Sequence, residues 1–159
     1  MGGGVSAAIR AAAGNALMLD AAKSVPCKVG DVVVTTAGAL RARYIFHAIT
    51  IGPDGSEAAR DVVRRATRRC LELATALNVS SISFPALGTG AAGFSMEDSA
   101  VAMTEVMADY VRLTSRPLDI DLYFFPRENS SPIGYVRFYE EFARRVPIAE
   151  EVASGVSHS

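Results

Sequence analysis

Little in this sequence points to metal, disulfide or polyanion chemistry. Its two cysteines, Cys27 and Cys70, fall in no zinc-ligand spacing and no CxxC arrangement, which leaves structural thiols on a turn and a helix face. Charge of one sign is not in excess either: 16 basic residues against 17 acidic ones give −1, so no general field draws nucleic acid. Recognition of phosphate would have to be local. No apolar run approaches the roughly 18–20 residues of a membrane span. The opening Met1-Gly-Gly-Gly has neither the basic region nor the apolar stretch of a secretory signal. No Gly-Lys-Ser/Thr triplet occurs, which disfavours triphosphate hydrolysis at a Walker loop, and the glycines miss the dinucleotide spacing. The expectation is a cytoplasmic protein with no cofactor, no metal, no membrane contact and no nucleic-acid partner.

What is present reads as one globular domain. The chain has 159 residues, 50% of them hydrophobic and 21% charged, enough for a single buried core. Residues 1–147 carry the periodic pattern, and 148–159 form a polar tail. Strong helix formers follow Gly2, Gly3 and Gly4, with Gly14 where a C-cap would stand. A short second helix is expected over 16–23, ended by Pro26. Runs rich in β-branched and aromatic residues predict strands over 31–37, 44–50, 81–87 and 119–125. Helical spacing predicts helices over 56–77, through Val62, Ala66, Cys70, Leu73 and Leu77, over 96–113, and over 135–146, through Phe138, Phe142 and Val146. Strands alternating with helices argue for an α/β layer fold, where ligands sit beyond the carboxyl ends of the strands.

Two glycine loops stand directly before helices, at Gly2 to Gly4 and at Gly88 to Phe94. A helix start leaves about four N–H groups without partners and carries partial positive charge. Glycine backbone there can wrap a phosphate with main-chain donors alone. Neither loop contains lysine or arginine, which fits recognition by amides.

These two loops and the segments between them resemble macro domains. Gly2-Gly-Gly-Val-Ser-Ala-Ala-Ile-Arg-Ala-Ala-Ala-Gly14 is similar to the family's first ligand loop and helix, and Ser83-Phe-Pro-Ala-Leu-Gly-Thr-Gly-Ala-Ala-Gly-Phe94 to its second. Val29-Gly-Asp-Val-Val-Val-Thr-Thr-Ala-Gly-Ala-Leu and Ala42-Arg-Tyr-Ile-Phe-His-Ala match the stretches between, and the resemblance runs in order to about Arg145. It implies a three-layer α/β/α fold with a mixed, largely parallel sheet, and a binder of ADP-ribose. Gly3, Gly4, Val5 and Ala7 would lie on one side of the diphosphate, with Gly88, Thr89, Gly90, Ala91, Ala92, Gly93 and Phe94 on the other. Phe125 matches the aromatic residue that stacks on adenine in the family, an interaction of about 1–3 kcal/mol by analogy with base stacking elsewhere.

The sequence also departs from that family. Its usual first two strands, with an aspartate that reads the adenine amino group and an Asn-Ala-Ala-Asn segment near the distal ribose, have no counterpart here. The resemblance therefore implies an N-terminally truncated domain with a vacancy inside its sheet. That vacancy could be filled by a partner copy, by the C-terminal tail, or by re-pairing across it. A homo-oligomer is the expectation, because an open sheet edge is a template for another chain. Hydrolytic relatives use an aspartate after the loop valine together with the absent asparagine; the matching residue here is Ser6, which no neighbour activates. Catalytic residues are thus unassigned.

Other polar residues have plainer readings. His47 lies in an apolar strand, as a satisfied core or loop-edge histidine rather than a general base. Glu97 and Asp98 are helix-start residues that complement the dipole. Arg60, Arg64, Arg65, Arg68 and Arg69 form a solvated helix surface, and Arg127, Glu128 and Asn129 follow Phe125 at a strand end. Three functional readings remain: a module that binds ADP-ribose or ADP-ribosylated molecules, a hydrolase of ADP-ribosyl esters or of ADP-ribose phosphate, and a weakly binding remnant that self-associates.

Overall fold

The structure is a computed structural model and describes residues 4–14, 27–51, 60–90, 92–124 and 132–146. The elements run α1 (Gly4–Ala13), β1 (Val32–Thr36), β2 (Tyr44–Ala48), α2 (Arg60–Ala76), β3 (Ser81–Pro85), α3 (Met96–Leu113), β4 (Asp119–Tyr123) and α4 (Ile133–Arg145). Strands and helices alternate as expected. The short helix expected over 16–23 and the tail from 148 lie outside the described residues.

α1 closes where the sequence predicts, with the Gly14 amide donating to the Arg10 carbonyl at 3.1 Å. α2 buries Val63, Ala66, Thr67, Cys70, Leu71 and Ala74. The stripe is therefore rotated by about one residue from the expected one, and Val62, Leu73 and Leu77 lie half-buried on its flank. Both stripes have helical spacing; contact with α3 along much of its length selects the one starting at Val63. Arg116 holds the end of α2, donating to the carbonyls of Thr75 at 3.1 Å and Val79 at 3.3 Å.

α3 occupies the middle of the helical layer, packed between α2 and α4. It buries Ala100, Ala102, Met103, Val106, Met107 and Ala108. Its buried hydroxyl at Thr104 is satisfied by the Ala100 carbonyl at 2.6 Å, as that of Thr67 in α2 is by Val63 at 2.8 Å. Such pairing matters because a buried polar group left alone costs about 1–3 kcal/mol. Phe138 of α4 is buried and meets the Phe124 ring at 4.8 Å, just beyond β4. One core joins Phe84, Met103, Leu71 and Phe138, with Val32, Phe46, Ile120 and Leu122 packed against it.

The strands pair as two ladders. β1 and β2 are antiparallel, with Val34 opposite Phe46, and β3 and β4 are parallel, with Phe84 opposite Leu122. Among the described residues these form two separate two-stranded sheets, and β2 does not pair with β3. Re-pairing across the expected vacancy is therefore not what these strands do. Alternation along β3 and β4 turns Ile82, Phe84, Ile120 and Leu122 toward the core, while Ser81, Ser83, Asp119, Asp121 and Tyr123 are exposed. Among the described residues no helix is long and apolar enough to cross a membrane.

Candidate functional site

The segment from β3 into α3 is where the sequence places its second glycine loop, and its backbone is held from several sides. β3 ends at Pro85, after which Ala86 and Leu87 turn away from the sheet. Leu87 is buried; its amide lies 3.4 Å from the Met103 sulfur and its carbonyl accepts from the Ser99 hydroxyl at 2.9 Å. The Thr89 hydroxyl donates back to the Ala86 carbonyl at 2.9 Å. The loop then closes on itself, with the Gly93 amide donating to the Gly90 carbonyl at 3.2 Å and the Phe94 amide to the Gly88 carbonyl at 3.0 Å. Gly88 and Gly93 make this closure with φ of 80° and 68°, a region that a side chain strains.

The helix that follows is capped by its own sequence. The Ser95 hydroxyl accepts from the Asp98 amide at 3.0 Å and donates to the Asp98 carboxylate at 2.6 Å. Glu97 and Asp98 both stand in the first turn of α3, as helix-start residues should.

The arrangement divides the expected ligand contacts. The amides of Gly93 and Phe94 are already used inside the loop, so donors for an anion have to come from its outer arc. Gly90 sits on that arc, exposed, and a Cβ built there meets nothing within 4 Å. Ala92 is buried and packs into the core, while Phe94 is half-buried against it. Of the other expected residues, Gly4, Val5 and Ala7 lie in the first turn of α1, where main-chain donors have no helical partner. Val5 and Ser6 are exposed there. Gly3, Ala91 and Phe125, like Arg127, Glu128 and Asn129, lie outside the described residues.

The remaining polar candidates take the plain readings. Burial pushes the Cys70 thiol up to about 12, which makes it inert near neutrality. Burial lowers the His47 pKa, and its Nε2 lies 2.9 Å from the Thr35 hydroxyl across the β1–β2 ladder. No group of three or more metal-ligating side chains is found among the described residues. Ser95 and Ser99, which fasten the loop, were not among the residues expected from sequence. The spacing of Ser95 and Asp98 is a helix-start signature that could have found the first; a serine inside a helix gives no such signal for the second.

The description of the Macro domain family matches residues 1–103. The chain belongs to the macro domain family. An uncharacterized protein of Sulfolobus acidocaldarius is 42% identical over 113 residues, covering 69% of this chain and 61% of that one. This macro domain therefore spans less than two thirds of that relative's length. The O-acetyl-ADP-ribose deacetylase of Salmonella typhimurium is 35% identical over 144 residues, covering 86% of this chain and 78% of the relative. The solved macrodomain of Trypanosoma brucei in complex with ADP-ribose superposes with a TM-score of 0.73 at 26% identity, covering 87% of this chain and 56% of that one. The fold is thus the α/β fold of macro domains, as the glycine loops and their flanking strands implied.

Proposed function

We propose that this macro domain binds ADP-ribose, free or attached to protein, and that its two glycine segments close on the diphosphate. The observation that carries this reading is the β3–α3 loop. It is a turn closed by two internal bonds, with exposed Gly90 at its tip, placed directly before a capped helix start. Amides of the outer arc, together with those of Gly4, Val5 and Ala7 at the start of α1, supply donors without any side-chain cation. Gly3 and Ala91 extend the two arcs, and Phe125 stacks on the adenine. The similarity to a macrodomain in complex with ADP-ribose supports the choice of ligand. The binding unit is residues 1–147, with 148–159 outside it, working in the cytoplasm without membrane or nucleic-acid partners.

Calorimetry tests this directly. ADP-ribose should bind with one site per chain, ADP more weakly and AMP weakest, because each loss removes contacts to the diphosphate or distal ribose. Equal affinities for ADP-ribose and AMP would contradict the diphosphate reading.

A second reading, hydrolysis of an ADP-ribosyl ester, is favoured by the similarity to the Salmonella deacetylase over most of the chain. Against it stands Ser6, an exposed hydroxyl in the first turn of α1 where a carboxylate base would be needed. Incubation with O-acetyl-ADP-ribose decides between them by release of acetate. A third reading, self-association, is favoured by two two-stranded sheets that stay separate among the described residues. Sedimentation of a monomer at all concentrations would remove it.

A further inference from the structure

A second concentration of anion-binding groups lies at the other end of α3. Arg60 and Arg64 of α2, Glu105, Asp109 and Arg112 of α3, and Arg145 at the end of α4 line a surface cavity of about 310 Å³. Glu105 stands ten residues along α3 from the Ser95 cap, which at about 1.5 Å per residue is about 15 Å from the glycine loop. The two places are therefore distinct.

Guanidiniums outnumber carboxylates among the described side chains that line the cavity. Four guanidiniums and two carboxylates do so, and Asp61, 4.0 Å from Arg64, and Glu141, paired with Arg145 and Arg144, add negative charge at its rim. Glu105 alone is shared by three of them: it bonds Arg60, stands 3.5 Å from Arg64 Nε and 3.6 Å from Arg145 Nη2. Two oxygens do not satisfy three forks, and Arg64 Nε is left without a hydrogen bond. Asp109 holds Arg112 at 2.5 Å, while Glu141, outside the cavity, is taken by Arg144 and Arg145. Arg60 and Arg112 are 50% and 54% exposed, so both can turn a fork toward a ligand. The negative end of α4 is covered by the bond from Arg112 to the Arg145 carbonyl at 3.2 Å.

We propose that this cavity is a second anion site, one that takes a small multivalent phosphate of the pyrophosphate class between the exposed forks of Arg60 and Arg112. Guanidinium forks match phosphate oxygens in pairs, so an anion with several phosphate oxygens suits two exposed forks. This site uses side chains where the glycine loops use backbone, and it stands whether or not those loops bind ADP-ribose.

The test is titration of the protein with inorganic pyrophosphate at low ionic strength, read by calorimetry and by the arginine Nε–Hε resonances. Binding should shift the resonances of Arg60 and Arg112. The double variant Arg60→Gln, Arg112→Gln should lose at least tenfold in pyrophosphate affinity with its ADP-ribose affinity unchanged, and Glu105→Gln should tighten pyrophosphate by removing the competing carboxylate. No arginine shift in the parent protein at millimolar pyrophosphate would overturn the proposal, whatever the folding of the variants, and leave the cluster as an ion-pair seam between helices. Binding lost in Gly90→Glu but kept in the double arginine variant would equally overturn it, because the anion would then sit in the glycine loop.

Discussion

The two glycine segments of this macro domain stand in the same place relative to a helix but are fastened very differently. The β3–α3 loop is tied to the core through Leu87, Ser99 and Met103, closed by the amides of Gly93 and Phe94, and followed by the Ser95 cap. The start of α1 has no comparable anchors among its described residues: Ala13, at the far end of the helix, is buried, while Val5 and Ser6 are exposed. The loop half of the proposed cradle is thus shaped before a ligand arrives. A preformed half costs less to order on binding, so it should carry more of the affinity.

The largest effect should come from Gly90→Glu. The position is exposed and open, so melting should stay near the parent, while a carboxylate beside the diphosphate should weaken ADP-ribose binding by about 100-fold or more, as like charges brought together cost several kcal/mol. Calorimetry and a melting curve on the same sample check both halves. Next, Ser99→Ala takes the hydroxyl donor from the buried Leu87 carbonyl and should cost about 1–3 kcal/mol in denaturant unfolding. Affinity should fall with it, because the loop loses its tie to α3.

Smaller effects separate the two segments further. Ser95→Ala removes the cap of α3 and should cost about 1 kcal/mol. By contrast, Val5→Ser in the exposed first turn of α1 should change stability by no more than about 0.5 kcal/mol. If both cost the same, the contrast between the segments would be wrong.

The smallest effect is a pH dependence far from either segment. Burial lowers the pKa of His47, so the unfolded chain takes up its proton near 6.5 and the folded one only at lower pH. The contribution to stability is complete above about 6.5 and is lost as the pH falls through the folded value. Melting temperatures measured down through mild acid should decline, and His47→Gln should flatten that part of the slope.

Local features were legible in the sequence where a single element decides them. The expected span of α3, about 96–113, matches the observed one, because the Glu97–Asp98 pair marks its start and the apolar pattern its length. The first three strands were found but drawn two residues too long, since a strand stops where its partner does: Val32 faces Ala48 and Thr36 faces Tyr44. Ala66 and Cys70 of the expected α2 stripe are buried, but its edge was misplaced by one residue because Val62 and Val63 fit helical spacing equally, and contact with α3 breaks that tie. The arginines of α2 were read as a solvated face, and Arg60, Arg65, Arg68 and Arg69 are exposed; that Arg60 and Arg64 also meet Glu105, 45 and 41 residues further along, is a pairing that no local pattern encodes. The spending of the Gly93 and Phe94 amides inside their own turn was equally invisible, because glycine content signals a loop without saying which donors it leaves open.

The central claim is that backbone amides of both segments hold one diphosphate. Amide resonances followed during titration with ADP-ribose test it most directly. Amides of residues 4–7 and of residues 88–92 should shift together and saturate at one concentration, while those of Gly93 and Phe94, bonded within the loop, should move less. Shifts confined to one segment, or two segments saturating at different concentrations, would contradict it.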